Sequence, residues 1–129
     1  MPGQDRDVKL SFLAQPTDVN FSGKVHGGFV MKWIDQAGYA CAVGWSGMNC
    51  VTVAVGGIRF VHPICIGDMV TVHCQLIYTG NTSMHFSVDV LARKLSTGAE
   101  VLATHCVIVM VAVDAAGKPA PVPKWLPVS

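Results

Sequence analysis

A chain of 129 residues with a formal net charge of +1 has the length of one domain with one sizeable core, and without a basic run it offers no electrostatic case for a nucleic-acid partner. Only 13% of its residues are charged against 51% hydrophobic. That charged share is low for a soluble monomer, so part of the apolar surplus is expected at a subunit interface.

Residues 1–7 are polar and acidic where a signal peptide would be basic and then apolar. They are expected to fray, and the protein to be cytoplasmic. The uncharged run 36–58 is broken by Ser46, Gly47, Asn49, Gly56 and Gly57, and the run 101–113 is too short for a bilayer, so no membrane span is expected. Residues 8–13 alternate weakly and predict a short strand. After a turn at Pro16, Thr17 and Asp18 and a polar loop over 20–26, a helix is predicted from Gly27 or Gly28 to about Gly44. Only Lys32, Asp35 and Gln36 are strongly polar in it, and a helix that apolar is expected to be buried on most sides.

Val51, Val53 and Val55 then open a β-branched strand, with a bulge or close backbone approach expected at Gly56-Gly57 and a stop at Pro63. Two half-exposed antiparallel strands follow by alternation: Val70, Val72, Cys74, Leu76 and Tyr78 share one face, and Met84, Phe86, Val88, Val90 and Ala92 share the next strand's inner face. Keeping those faces on one side favours a three-residue turn at Thr79-Gly80-Asn81, with Gly80 and Asn81 tolerating positive φ. A turn at Ser96-Thr97-Gly98 leads to a strand over 100–113, apolar on both faces except for Thr104 and His105, which reads as a central strand buried on both sides. Four of the seven prolines fall after residue 114, so the tail is an extended surface segment, with 124–129 extended or frayed. The whole chain, 1–129, is read as one α+β domain, a curved antiparallel sheet around one helix.

Five cysteines without C-x-x-C spacing read as free, mostly buried thiols. Lys32, Asp35 and Gln36 lie within roughly 100° of helical arc, so they form either a solvated stripe with an i,i+3 ion pair or the polar lining of a site. Gly27 and Gly28 begin the helix, where unpaired N–H groups sit at the positive dipole end and can hold a carbonyl oxygen. Asp35 lies eight residues on, roughly 12 Å along the axis, leaving space for a bound group and a water between it and those donors. His73 and His85 share a polar sheet face, but without a third ligand they read as surface residues. His105 reads as a hydrogen-bonded histidine of the core or an interface. Trp33, Tyr39 and Phe86 are read as core before pocket.

The segment N-x5-H-G-G-x6-D (Asn20, His26, Gly27, Gly28, Asp35), followed in order by V-T-V-A-V (51–55), F-x-x-P-I-x-x-G-D (60–68), G-N-T-S (80–83) and V-D-x-x-G-x-P-x-P-V-P (113–123), resembles the hotdog-fold acyl-CoA thioesterases, in layout the YciA-type and PaaI-like groups. The resemblance implies that Asp35 is general base or nucleophile toward a thioester, that the Gly27 amide polarises its carbonyl, and that Asn20 places water. It further implies that His26 and Gly28 shape the loop at the substrate, that Thr52 approaches from the neighbouring strand, and that Asn81, Thr82, Ser83, Arg93 and Lys94 contact the nucleotide end of coenzyme A. His62 stands where relatives often carry arginine. An acyl-CoA substrate, a pocket between two hotdog subunits, assembly as dimer, tetramer or hexamer, and no metal or other cofactor complete the expectation. The acyl tunnel would depend on Met31, Tyr39, Met84 and Phe86. The rival readings are a non-catalytic acyl-CoA or fatty-acid binding module and a thioesterase acting on acyl-carrier-protein thioesters.

Overall fold

The computed structural model describes residues 2–127. In chain order the elements are β1 (Asp7–Leu13), a short 3-10 turn (Pro16–Asp18), α1 (Gly27–Ser46), β2 (Asn49–Phe60), β3 (Met69–Thr79), β4 (Ser83–Arg93) and β5 (Glu100–Val113). The five strands form one antiparallel sheet in the order β1-β3-β4-β5-β2. The sheet packs its inner face on the single helix, which is the hotdog architecture the motifs imply. Only β3, β4 and β5 form a meander; β2 crosses to the far side of β5 and becomes an edge, and β4 rather than β5 is the middle strand.

Alternation builds the core directly. Val70, Val72, Cys74 and Leu76 of β3 and Met84, Phe86, Val88, Val90 and Ala92 of β4 are fully buried, and they meet Val30, Trp33, Ile34, Ala37, Cys41 and Ala42 from one side of α1. Helix and sheet approach so closely at Gly38 that a Cβ there would lie 3.1 Å from Ile108. The other side of α1, carrying Gly28, Lys32, Asp35, Gln36, Tyr39 and Ala40, is exposed, so the helix is half-covered rather than enclosed. It also runs past Gly44, ending at Gly47, whose left-handed φ of 69° lets its N–H reach the Val43 carbonyl.

Several boundaries depart from expectation for local reasons. Residues expected to fray at the start are held: the Gly3 amide donates to Trp45 O, Arg6 exchanges backbone and side-chain bonds with Leu76, and Asp7 already belongs to β1. In the tail, Lys124 donates to Gly80 O and the Trp125 amide to Thr79 Oγ1, while 128–129 lie outside the described residues. The β3–β4 turn is tighter than three residues: Gly80 N donates to Ser83 O across Asn81-Thr82. The inner faces stay aligned because β3 bulges between Leu76 and Tyr78, which turns Tyr78 outward and tucks Thr79 in. Neither Gly80 nor Asn81 has a positive φ; a Cβ at residue 80 would lie 2.5 Å from Ser83 Oγ, so a larger residue there requires the Ser83 hydroxyl to turn away. The outer side chains of β5 are only half-buried, since none of the described residues covers that face.

Candidate active site

β2 follows α1 through a short turn and runs back along it, so the exposed side of the helix and the edge strand form the two walls of a groove. Three contacts span it. At the far end the Tyr39 hydroxyl donates to Asn49 Oδ1 at 2.7 Å. One helical turn earlier, about 6 Å along the axis, the Thr52 hydroxyl donates to Asp35 Oδ1 at 2.7 Å. At the helix start the Phe60 ring lies beside Gly27, 3.7 Å from where a Cβ would stand. Register explains the alignment: bulges between Thr52 and Ala54 and between Gly56 and Arg59 let β2 follow the helix with residues of the right kind turned inward.

Asp35 is exposed in the single chain and makes no ion pair with Lys32 among the described residues. The i,i+3 pair is therefore not what orients the carboxylate; Thr52 is. A charged acceptor held by one short hydroxyl bond keeps its second oxygen available to a water or a substrate.

At the other end of the groove His26 is the helix N-cap, its carbonyl accepting from Phe29 and Val30 and its ring tilted against Phe29. The amides of Gly27 and Gly28 find no backbone acceptor among the described residues, so they remain free donors at the positive end of a 20-residue helix. Gly27 opens on a cavity of about 230 Å³ lined with Val25, Val30, Phe60, His62, Ile64 and Thr104, among others. Asn20 has a different employment: its Oδ1 accepts from Ser22 N, Ser22 Oγ and Lys24 N, which fixes the loop ahead of the helix and leaves only its amide nitrogen for a water.

The five residues assigned to the nucleotide end do not gather in one protomer. Asn81, Thr82 and Ser83 sit at one end of β4, Arg93 and Lys94 at the other, roughly 30 Å away along an extended strand. Arg93 donates to Gly98 O and lies 3.8 Å from Glu100. Lys94 points inward: its ammonium binds Asp68 at 2.5 Å and also reaches Pro63 O and Cys65 Sγ, so as a phosphate ligand it is already occupied. Asp68, 2% exposed, also accepts from the Cys65 and Leu95 amides. Burial opposes its ionisation, but the bonds from Lys94 and the two amides win and hold its carboxyl below the ordinary range; burial likewise opposes the Lys94 charge, and Asp68 overrides it, raising the ammonium.

The histidines also find partners. His73 Nε2 lies 3.2 Å from Asp7 and His105 Nδ1 2.7 Å from Asp89, whereas His85 meets the edge of Tyr78. Together Lys9, His73, Asp89, His105 and Arg59 form one in-register polar row across all five strands, on the face away from the helix. Met84 and Phe86 are wholly buried, as expected of core, whereas Tyr39 is 43% exposed and not core. The cysteines are unbridged and only Cys65 is less than buried. Burial, with the Asp89 charge adding, pushes the Cys106 thiol up to about 11, and a bond with Cys41 together with burial raises Cys74, so these thiols stay protonated and are poor nucleophiles. Sequence reasoning missed the cavity and its polar wall, although Thr104 had stood out as one of two polar residues in an apolar strand.

Comparison with known proteins bears on the same residues. The thioesterase superfamily model matches residues 22–99, which include Asp35, Thr52, Gly27 and Asp68. The acyl-CoA thioester hydrolase YciA of Salmonella typhimurium is 33% identical over 120 residues, covering 91% of this chain and 90% of its own. A hexameric thioesterase from Yersinia pestis superposes with a TM-score of 0.84 at 36% identity, over 89% of this chain and 93% of its own. The acyl-CoA hydrolase of Staphylococcus aureus, with a TM-score of 0.89 at 25% identity over 100% of this chain and 79% of its own, has been solved as alanine variants of an aspartate and of a threonine seventeen positions apart. With this fold and these matches, the chain belongs to the thioesterase superfamily and is a hotdog-fold enzyme.

Proposed function

We propose that the protein hydrolyses acyl-CoA thioesters to a carboxylate and free coenzyme A. The observation that carries the reading is the Thr52–Asp35 hydrogen bond, which aims a carboxylate into a groove whose other end presents unpaired helix amides. YciA and the solved acyl-CoA hydrolases support the substrate class. The seventeen-residue separation of the aspartate and threonine replaced in the Staphylococcus enzyme is also that of Asp35 and Thr52.

Asp35 acts as general base on a water, or as nucleophile, and the Gly27 amide polarises the thioester carbonyl. A thioester is already activated, so one base, one donor and proximity lower the barrier by several kcal/mol. Within one protomer the two groups are about 12 Å apart along the helix; that interval has room for a bound group and a water, as the spacing implied, but is more than a carbonyl and one bridging water span in contact. The reacting pair is therefore Gly27 of one protomer and Asp35 of its partner. The exposed edge strand supports such an assembly: Val51, Val53, Ile58 and Phe60 of β2 all lie bare in the single chain, an edge that natural sheets cover. A dimer joined there is the catalytic unit, and a hexamer made of three such dimers follows the Yersinia relative.

In this reading His26 and Gly28 shape the mouth of the groove, Asn20 places water with its remaining amide, and Asn81, Thr82, Ser83 and Arg93 meet coenzyme A from different protomers. Five free thiols suit a reducing, cytoplasmic setting. Asp35→Asn keeps the shape and removes the base: hydrolysis of an acyl-CoA panel is expected to fall at least a hundredfold with an unchanged melting curve. Near-wild-type turnover by that variant would overturn the assignment.

A further inference from the structure

The cavity under Gly27 has two polar side chains that the reaction above does not use, Thr104 and His62, and only Thr104 is buried. Thr104, on β5, is 1% exposed and lines the cavity together with Gly27. Its hydroxyl makes no hydrogen bond with any described side chain or loop backbone. No fully enclosed side-chain oxygen or nitrogen among the described residues lacks a partner, so this unbonded hydroxyl is one that reaches the cavity. Of the other side chains named on that wall, Val25, Val30, Phe60, Val61, Pro63 and Ile64 are apolar, with His62 the one remaining polar group.

We infer that Thr104 is a specificity-determining residue, the hydrogen-bonding wall of a short acyl pocket that favours acyl groups carrying an oxygen near the thioester, such as hydroxyacyl or ketoacyl chains. The inference rests on the acyl-CoA reading above. Three observations lead to it. The cavity adjoins Gly27, whose amide is assigned above to the thioester carbonyl, so a substituent of the thioester lies next to its mouth. At about 230 Å³ with mainly apolar walls, it is smaller than the usual range for ligand pockets and unsuited to the amide-rich arm of coenzyme A, which leaves the acyl side. A plain alkyl chain filling it would displace water from the Thr104 hydroxyl and give nothing back, whereas an oxygenated chain restores the bond.

The test compares kcat/KM for butyryl-CoA with that for 3-hydroxybutyryl-CoA and acetoacetyl-CoA in the wild type, Thr104→Val and Thr104→Ser. The wild type should favour the oxygenated pair by roughly tenfold. Thr104→Val, nearly isosteric, should abolish or invert that ratio, and Thr104→Ser, which keeps the hydroxyl, should retain it. A ratio that the valine variant leaves unmoved would overturn the inference while leaving the thioesterase reading intact. Absence of hydrolysis of all three substrates, and of longer acyl-CoAs, by the wild type would instead overturn the reading beneath it.

Discussion

The interaction on which the proposed chemistry rests is one hydroxyl on one carboxylate. From spacing alone, Asp35 could be a member of a solvated stripe paired to Lys32, and the i,i+3 geometry gave that reading real weight. The fold chooses otherwise, because the edge strand brings Thr52 within 2.7 Å, a contact between residues seventeen apart that no helical period displays. Thr52→Val should therefore lower kcat for acyl-CoA hydrolysis by roughly ten- to a hundredfold by freeing the carboxylate from its orientation, and Thr52→Ser should restore most of it. Because Thr52 is exposed, its replacement should move stability by no more than about 0.5 kcal/mol; steady-state kinetics beside thermal melts check both halves. Asn20 shows the converse. Its place in the motif was legible, but its oxygen serves the loop, a local Asx-type use that its residue type allows and that sequence does not separate from a role at substrate.

At the scale of elements, period carried most of the architecture. Alternation set the inner faces of β3 and β4, and the apolar run with a glycine stop set α1. What alternation could not show was where a strand breaks its own rule: the bulge before Tyr78 reverses the exposure of the last two residues of β3, and a bulge costs one residue that no composition marks. The turn-to-turn clasp of Asp68 by Lys94 was equally hidden, since its partners are 26 residues apart. It supplies a pH-dependent part of stability. Asp68 titrates below its ordinary 3.8 when folded, so its contribution is fully present above that value and is lost as pH falls through the folded one. Lys94 titrates above its ordinary 10.5, so its contribution is present below that value and is lost as pH rises through the folded one. Lys94→Met leaves the buried carboxylate without its cation and should cost about 2 kcal/mol at neutral pH. Urea unfolding as a function of pH should show that deficit shrinking once Asp68 protonates. A pH-independent deficit would mean that Lys94 contributes through packing of its stem alone.

For the whole molecule, the low charge content is explained by surfaces the single chain leaves bare. Phe60 is 61% and Val53 55% exposed on β2, and the outer side of β5 is half-covered although its sequence reads as buried on both sides. Hydrophobic pattern marks these residues as apolar and is silent on what covers them, so the expected burial of β5 on both sides is not met within the single chain. The same edge separates the two halves of the proposed chemistry, since Gly27 and Asp35 of one protomer lie too far apart to act on one carbonyl. Assembly and turnover must then fail together. Val53→Lys places a charge on the exposed edge without touching the core, so the protomer should keep its secondary structure while the assembly dissociates. Light scattering after size exclusion should report the smaller species, circular dichroism an unchanged fold, and hydrolysis a loss of at least tenfold that recovers as protein concentration is raised. A dissociated Val53→Lys protein with undiminished activity at low concentration would place both catalytic groups within one chain and remove the reason for a shared site.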